Sequence, residues 1–259
     1  VAIAGAAAAT VLASNAVPTP SLVAQALCAA IVVGVLSGMW NGLLVAFVGM
    51  QPIIATLILM VAGRGVAQLL TAGQIIPIGA PGYLFVGGGY LLGIPFSVWI
   101  ATFAVLATAL LVEGTALGLF IRAIGVNPVA TRLVGLRSKA IVFAVYGFSG
   151  LTASIAGILI SSNVRSADGN NAGLLLELDA ILAVTLGGTS LLGGRFSLAG
   201  TVLGALIIQT LTYTTYSIGV PPEATLVVKA AVVLAVSVIQ SPSARAMAMS
   251  LFTSRGVAR

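Results

Sequence analysis

The stretch SLVAQALCAAIVVGVLSGMWNGLLVAFVG, residues 21–49, decides the fold. It contains no charged residue and is longer than the roughly 20 apolar residues that cross a bilayer as a helix. Glycine recurs at every fourth position, which gives one helix face that can approach a neighbouring helix closely, within this chain or in a second copy. A second pair of glycines has the same spacing. The predicted packing glycines are Gly34, Gly38, Gly42, Gly200 and Gly204.

The composition of the 259-residue chain excludes a water-soluble domain. Hydrophobic residues make up 59% of it and charged residues 6%, whereas soluble domains carry about a quarter charged residues. The apolar runs are long and show little period-two alternation, which favours helices over the strands of a membrane barrel. Helices also satisfy the backbone hydrogen bonds that lipid cannot satisfy. We therefore predict an all-α, polytopic transmembrane helical bundle that forms a single domain over residues 1–259.

Apolar runs and the breaks between them predict where the chain crosses the membrane. Residues 1–13 are too short to cross alone, and we expect that the natural chain extends further at its N-terminus. Residues 71–93 are rich in Gly and Pro, which predicts an external loop. The predicted crossings are residues 21–49, 53–70, 94–112, 140–160, 196–216 and 224–240.

The few charged residues orient these crossings. The chain carries 11 basic and 5 acidic residues, a net charge of +6, and the basic residues lie at segment ends. Residues 113–139 hold four basic residues against one acid, so the positive-inside rule places this loop and the tail, residues 241–259, in the cytoplasm. The polar residues 161–176 then lie outside. The pattern indicates a lipid bilayer as partner and does not indicate nucleic acid.

The stretch LELDAILAVTLGGTSLLGG, residues 176–194, is a second unusual feature. It begins with Glu177 and Asp179, which the dipole at a helix start favours, and it contains two Gly-Gly pairs. Counting crossings from both directions requires the stretch to lead from outside to inside, although it is short for a crossing. We predict a broken or re-entrant helix near residues 179–194. Its irregular backbone lines a transport path or forms a tightly packed turn, and both can hold together.

The basic loop contains another break. The sequence ALGLFIRAIGVNPVATRLVGLRSKA, residues 116–140, predicts short helices with a turn at residues 125–128. Asn127 is a suitable N-cap and Pro128 suits the first helical position. Such a loop docks in a groove on another protein or lies on anionic lipid, and the residue pattern favours neither.

No set of residues points to catalysis or to a bound cofactor. The chain has no histidine, and its single cysteine, Cys28, excludes an internal disulfide and most cysteine metal sites. Neither the phosphate-loop motif nor the dinucleotide fingerprint occurs. We therefore predict no catalytic residue, no metal and no cofactor in this chain. Active transport would draw its energy from an ion gradient or from a separate subunit.

Polar residues in or near the predicted crossings are candidates for a translocation path or an outer gate. The charged candidates contact a partner, gate the outer mouth or form local ion pairs, while Asn41 lines the path or bonds to another helix. Arg64 and Lys229 extend to the membrane interface or pair with an outer acid. The path and gate candidates are Asn41, Arg165, Asp168, Glu177, Asp179, Gly187, Gly188, Thr189 and Ser190.

Three segments carry a resemblance to a known family. The phrases IRAIGVNPVA at residues 121–130, LDAILAV at 178–184 and GGTSLLGG at 187–194 resemble signature segments of bacterial ATP-binding-cassette sugar importer permeases, the ribose, xylose, arabinose and autoinducer group. The resemblance extends over residues 21–240. Residues 51–68 and 221–230 are most similar to permeases of galactofuranose importers.

The resemblance implies a function and a set of partners. A permease of this family forms the translocation path for a monosaccharide, here galactofuranose or a ribose-like sugar, in the bacterial inner membrane. A second permease subunit, identical or homologous, completes the pore. A cytoplasmic ATPase subunit holds ATP and Mg, and a periplasmic sugar-binding protein delivers the substrate. The chain would then be a transporter subunit and not an enzyme.

The resemblance also implies that the basic loop, residues 113–139, is the coupling element that docks on the ATPase. Arg122 stands where relatives often carry an acid, and family members usually have more chain before Val1. The alternative is an ion-coupled sugar carrier or a passive channel with no ATPase partner, which the scarcity of charge inside the crossings disfavours. The candidate coupling residues are Arg122, Gly125, Asn127, Pro128 and Arg132.

Overall fold

The computed structural model describes residues 1–13, 19–190, 193–194, 196–219 and 221–240. Its helices are α1 Ala2–Ala13, α2 Pro20–Leu43, α3 Pro52–Leu70, α4 Pro81–Gly88, α5 Phe96–Glu113, α6 Ala116–Val126, α7 Pro128–Leu133, α8 Ser138–Val164, α9 Leu176–Leu186, α10 Leu198–Ser217 and α11 Pro222–Gln240. A π-helical turn, Leu44–Val48, continues α2. The strands of the described residues are β1 Ile76–Pro77, β2 Tyr90–Leu91, β3 Ile94–Pro95 and β4 Ser166–Ala167.

Five helices of the described part are long and apolar enough to cross a membrane. They agree with five of the predicted crossings to within about one helical turn, and the sixth, residues 224–240, lies in α11. Large apolar side chains such as Phe103 and Leu110 of α5 are 74% and 69% exposed, as expected of a surface that faces lipid. The all-α, polytopic membrane fold is thereby confirmed. The candidate spans are Pro20–Val48, Pro52–Leu70, Phe96–Glu113, Ser138–Val164 and Leu198–Ser217.

The chain divides into two compact units, Val1–Leu174 and Leu175–Arg259. In the first unit α2 and α8 pack antiparallel, with Gly34 beside Ser154 and Gly38 beside Tyr146. A Cβ atom at Gly38 would lie only 2.3 Å from the carbonyl oxygen of Tyr146, so this approach requires glycine. The arrangement of residues 1–259 as a single domain remains a prediction.

Helix α1 is buried within the first unit. Its residues Ala4 and Ala8 are at most 1% exposed, and they belong to one core cluster with Ala26 of α2 and Ile158 of α8. Alanine side chains are short, so the helix backbones come close together and gain dispersion energy along their length. Such close packing is what associates helices in lipid, where burying apolar surface from water contributes little.

The segment of residues 71–93 contains the helix α4, one face of which is buried, so the prediction of a loop is wrong for this part. In α4 the side chain of Tyr83 is 0% exposed and packs against α8. Its hydroxyl hydrogen-bonds with that of Ser161 at 2.7 Å. The Ser162 hydroxyl donates to the Tyr83 carbonyl oxygen at 2.7 Å and accepts the Gly87 amide at 2.8 Å. The two serines therefore lie inside α8, although the sequence assigned them to an outer polar segment.

In the second unit, the stretch predicted as a broken or re-entrant helix is a short helix, α9, followed by a turn packed closely against α10. Helix α9 has 11 residues and a length of about 16 Å, roughly half the hydrocarbon core of a bilayer. It ends at Gly187, whose backbone lies against that of Gly200 at the start of α10. One turn away, Ala183 lies against Gly204. The short helix thus runs antiparallel to the first part of α10.

Candidate functional site

Asn127 separates the two helices of the basic loop, since its backbone ends α6 and its side chain caps α7. Its amide donates to the Ala123 carbonyl oxygen at 3.0 Å and closes α6. Its side-chain oxygen accepts the amides of Val129 and Ala130, each at 3.0 Å, and so caps α7, with Pro128 in the first turn. The predicted N-cap and helix start are confirmed. Gly125 lies inside the last turn of α6, so the break falls at Asn127 and not over residues 125–128 as predicted.

The surface around this break is apolar and exposed. Val126 and Val129 are 68% and 66% exposed, and Leu133 and Val134 follow at 85% and 81%. Arg122 and Arg132 are also exposed. Since exposed apolar side chains of this number favour contact with a partner surface or with lipid, the loop has the character of a docking element.

Two buried hydroxyl groups connect the loop to α8. The Thr131 hydroxyl donates to the Pro128 carbonyl oxygen at 3.0 Å and lies 3.3 Å from the hydroxyl of Ser138, the first residue of α8. The Ser138 hydroxyl also donates to the Leu136 carbonyl oxygen at 3.4 Å. Gly135, with a φ of +83°, makes the reversal between α7 and α8. These contacts join the loop to the start of α8, one of the candidate membrane-crossing helices.

In the second unit, Asp179 of α9 forms an ion pair with Lys229 of α11. The Lys229 ammonium donates to both carboxylate oxygens, at 2.9 and 2.8 Å. The Lys229 side chain is 10% exposed and that of Asp179 29%. Lys229 lies seven residues from the start of α11, about 10 Å along the helix axis. Of the two alternatives for Lys229, extension to the interface or pairing with an acid, the structure shows the pairing, and the carboxylate of Asp179 is neutralised by it.

The glycine-rich segment after α9 is closed by hydrogen bonds of Thr189. Its hydroxyl accepts the Ser197 amide at 3.1 Å and donates to the Ser197 carbonyl oxygen at 3.3 Å. Gly188 has a φ of +80° and is exposed. The Ser190 carbonyl oxygen accepts the Gly193 amide at 3.2 Å. These contacts form a compact turn, while residues 191, 192 and 195 lie outside the described residues. Glu177 is exposed in the first turn of α9.

The candidates that follow α8 belong to a separate, ordered loop of the first unit. Arg165 is exposed and caps α8 in a left-handed conformation with a φ of 58°, just before β4 pairs with β1. Asp168 accepts the Asn171 side-chain amide at 2.7 Å and the Asn170 backbone amide at 2.8 Å. These bonds, that from Asn171 first, hold the pKa of the Asp168 carboxyl below its ordinary value. The Asn170 side chain in turn accepts a bond from Gln68.

Asn41 lies one turn before the π-helical turn of α2. It is 6% exposed, and its side-chain oxygen has no hydrogen-bond partner among the described residues. Neither a path-lining role nor a bond to another helix follows from this position. No cluster of three metal-ligating side chains occurs in the described ranges. The contacts of Tyr83 with Ser161 and Ser162 were missed by the sequence analysis, since a Gly- and Pro-rich segment gave no helical pattern.

Comparison with known proteins gives several matches. Residues 1–237 match the family model described as branched-chain amino acid transport system / permease component. The chain is 53% identical over 215 residues to the galactofuranose transporter permease protein YtfT of Escherichia coli (strain K12), with 83% of this chain and 63% of that protein covered. It is 44% identical over 217 residues to the fructose import permease protein FruF of Bifidobacterium longum (strain NCC 2705), with 82% and 61% covered.

The ribose import permease protein RbsC of Escherichia coli (strain K12) is 40% identical over 213 residues, with 81% of this chain and 66% of that protein covered. The chain thus spans less than two thirds of the length of each of these curated relatives. No solved structure matches the chain significantly.

Proposed function

Because the chain belongs to the family of branched-chain amino acid transport system permease components, we propose that it is the membrane-spanning permease subunit of an ATP-driven sugar importer. The names of three relatives, which refer to galactofuranose, fructose and ribose, support a monosaccharide as substrate. The identity of 53% to the galactofuranose permease makes galactofuranose the first sugar to test, with ribose-like sugars next.

The observation that carries this proposal is the rigid, exposed turn at Asn127. An element that transmits force from an ATPase must project from the membrane, keep its shape and connect stiffly to a crossing helix. The double cap of Asn127, the exposed Val126 and Val129, and the hydroxyl contact between Thr131 and Ser138 supply these three properties. Arg122, Gly125, Pro128 and Arg132 flank the same surface and complete the proposed contact.

The translocation path fits a neutral, hydrated substrate. The ion pair of Asp179 and Lys229 cancels two charges, so that no net charge from this pair attracts ions. Acids inside spans mark ion and proton paths, and we take the engagement of Asp179 with Lys229 as disfavouring that role. We assign α9 and the glycine turn at residues 187–190 to the boundary of the path, with Asn41 as a further candidate.

The importer needs further subunits. A cytoplasmic ATPase subunit holds ATP and Mg and docks on residues 113–139, and a second permease completes the pore. A periplasmic sugar-binding protein docks on the outer surface, where Arg165, Asp168 and Glu177 are the candidate contacts. The assembly lies in the bacterial inner membrane. ATP hydrolysis belongs to the partner, and this chain is not an enzyme.

The experiment reconstitutes the full-length permease in liposomes with its ATPase, second permease and binding protein. Sugar-stimulated ATP hydrolysis and uptake of labelled galactofuranose are measured for the parent, Asn127→Ala and Val129→Asp. Asn127→Ala removes the cap and Val129→Asp places a charge on the docking surface, so we expect both to lose stimulation. Asn127→Ser keeps a capping oxygen and serves as the matched control that retains it.

Uptake without any ATPase, with both loop variants behaving like the parent, would replace the importer by a carrier or channel. Competition with unlabelled ribose and fructose separates the sugars. If ribose displaces the label at lower concentration than galactofuranose does, the substrate is a ribose-like sugar and the ATP-driven mechanism still stands.

A further inference from the structure

An open cavity of about 390 Å³ lies in the first unit, where the π-helical turn at the end of α2 meets the start of α8. Of its lining side chains, the proposed transport function names those of Arg132 and Ser138. The cavity is lined by Phe47, Arg132, Leu136, Arg137, Ser138, Lys139 and Ala140.

The cavity concentrates positive charge. Arg132, Arg137 and Lys139 are all exposed at its wall, and none of the described lining residues is acidic. Glu113 is the only acid in residues 113–139. Like charges that share a small volume repel one another, and an anion bound among them relieves this repulsion. The cavity is therefore suited to a ligand with negative charge.

The start of α8 adds to this potential. The helix has 27 residues, and among the described residues no side chain caps its first turn. The Ser138 hydroxyl, the nearest capping group, is already engaged with Thr131 and with the Leu136 carbonyl oxygen. The N-terminal end of a helix carries a partial positive charge, and an anion there is stabilised by it.

The opposite wall is apolar and lies at the boundary of the membrane. Phe47 is in the last turn of the crossing Pro20–Val48, is 54% exposed, and packs edge-on against Phe143 with ring centroids 5.9 Å apart. Because α2 and α8 run antiparallel, the end of the one crossing and the start of the other lie at the same membrane face. A ligand in the cavity therefore has cations on one side and apolar surface on the other.

We propose that this cavity binds the phosphate headgroup of an anionic phospholipid, with an acyl chain against Phe47. A basic pocket between the ends of crossing helices is the kind of site that recognises such headgroups. An acidic segment of another protein would approach from water and meet the exposed Val126 and Val129. It would gain nothing from an aromatic ring at the end of a membrane crossing, whereas a lipid would. The lipid would fix the base of the loop that α6 and α7 form.

The test uses the full-length permease, purified in neutral detergent and titrated with phosphatidylglycerol or phosphatidylcholine, with bound lipid counted by native mass spectrometry. We expect saturable binding of phosphatidylglycerol alone. In Arg137→Gln/Lys139→Gln this binding weakens by about 25-fold, since each basic side chain contributes roughly fivefold. Both side chains are exposed, so their replacement does not disturb the core.

Two matched controls isolate the cavity. Arg137→Lys/Lys139→Arg keeps the charge and retains binding. Arg165→Gln removes an exposed basic side chain from the opposite end of α8 and leaves the affinity within about twofold of the parent, less than the roughly fivefold expected for a lost contact. A loss of roughly fivefold or more in Arg165→Gln would show unspecific attraction and overturn the site.

Phe47→Ala separates a lipid from a free anion. We expect this variant to bind phosphatidylglycerol more weakly than the parent does. Neither protein should bind sn-glycerol 3-phosphate, which has the phosphate but no acyl chain. If sn-glycerol 3-phosphate displaces the lipid at equal concentration, or if the Arg137→Gln/Lys139→Gln variant binds lipid normally but no longer binds the ATPase, the occupant is a free anion or an acidic protein segment and the proposal fails.

Discussion

Two antiparallel helix pairs, α2 with α8 and α9 with α10, use the same close approach of small residues but are held in different ways. In the first pair both helices are long enough to cross a bilayer, and Gly34, Gly38 and Gly42 meet α8 along two turns. In the second pair α9 has 11 residues, and its close approaches to α10 are those of Gly187 with Gly200 and of Ala183 with Gly204.

Polar contacts add to the packing of the second pair. Thr189 bonds to both backbone groups of Ser197, the N-cap of α10, and Asp179 joins α9 to α11 through Lys229. Packing along two complete helices is lost only when the helices separate, whereas a polar contact can break by itself. We therefore expect the contact of α9 with α10 to yield more easily than that of α2 with α8.

The two helix pairs should differ most in how much stability they lose when a glycine is replaced. A Cβ atom at Gly38 would lie 2.3 Å from the Tyr146 carbonyl oxygen, and one at Gly200 would lie 2.1 Å from that of Gly187. Because α8 contacts α2 along two turns, whereas α9 contacts α10 along about one, we expect Gly38→Ala to cost about 3 kcal/mol of unfolding free energy and Gly200→Ala about 1 kcal/mol. Unfolding in mixed micelles with increasing SDS measures both.

Gly65→Ala is the matched control, since no described atom lies within 4 Å of the added carbon. It should leave stability unchanged or raise it by up to about 1 kcal/mol, the helix propensity of alanine over glycine. Equal losses for Gly38→Ala and Gly200→Ala would mean that the two pairs are equally rigid.

The ion pair gives the next largest effect, and the effect should be unequal for its two partners. Asp179→Asn leaves an ammonium that is 10% exposed without its counter-charge, at a cost of about 2 kcal/mol. Lys229→Met leaves a carboxylate that is 29% exposed and can reach water, at a cost of about 1 kcal/mol. The double variant should cost less than the sum, as a double-mutant cycle on the unfolding free energy would detect. A larger cost for Lys229→Met would contradict the assigned exposures.

Hydroxyl contacts sharpen the comparison on a smaller scale. Ser162→Ala deprives the buried Gly87 amide of its acceptor, so we expect a loss of about 1.5 kcal/mol. Thr189→Val removes contacts that are only partly buried, and we expect about 1 kcal/mol. Thr56→Val, which removes an exposed hydroxyl bonded within its own helix, should be near neutral. Thermal unfolding in one detergent ranks the three, and the reverse order would refute the burial argument.

The smallest effect is a pH response of the loop that follows α8. Since the pKa of Asp168 is lowered from its ordinary 3.8 in the folded chain, its stabilising effect is complete above that value. The effect is lost as the pH falls through the lowered pKa. Hydrogen exchange of the amides of residues 169–173, corrected for intrinsic rates, should therefore accelerate a few-fold below pH 4. Asp168→Asn should abolish this dependence, and acceleration that persists in the variant would assign it to another group.

Local chemistry made much of this fold predictable. Long uncharged runs set the crossings, because lipid requires every backbone group to bond within its own helix. The cap at Asn127 was predictable because capping depends on neighbours three residues away. The π-helical turn gave no signal, since LVAFV reads like any apolar helix end.

Features that depend on distant partners could not be predicted. Helix α4 has only eight residues, three of them glycine and one proline, so its sequence does not favour a helix. The helix is held by the packing of Tyr83 against α8. Ser161 and Ser162 look like loop residues until that tyrosine supplies their hydrogen bonds. Lys229 had two open interpretations, because its partner lies 50 residues earlier in the chain.

The π-helical turn has a consequence for the alignment of this chain with its homologues. Gly34, Gly38 and Gly42 would be followed on the same face of a regular helix by residue 46. The wider turn adds one residue, so Phe47 takes that place and meets Phe143, which also lies beside Gly42. A homologue one residue shorter here would keep a plain α-helix and present its residue 46 to the same neighbour. A single-residue gap in an alignment at this point would therefore mark a regular helix end that keeps the contact with the residue at position 143.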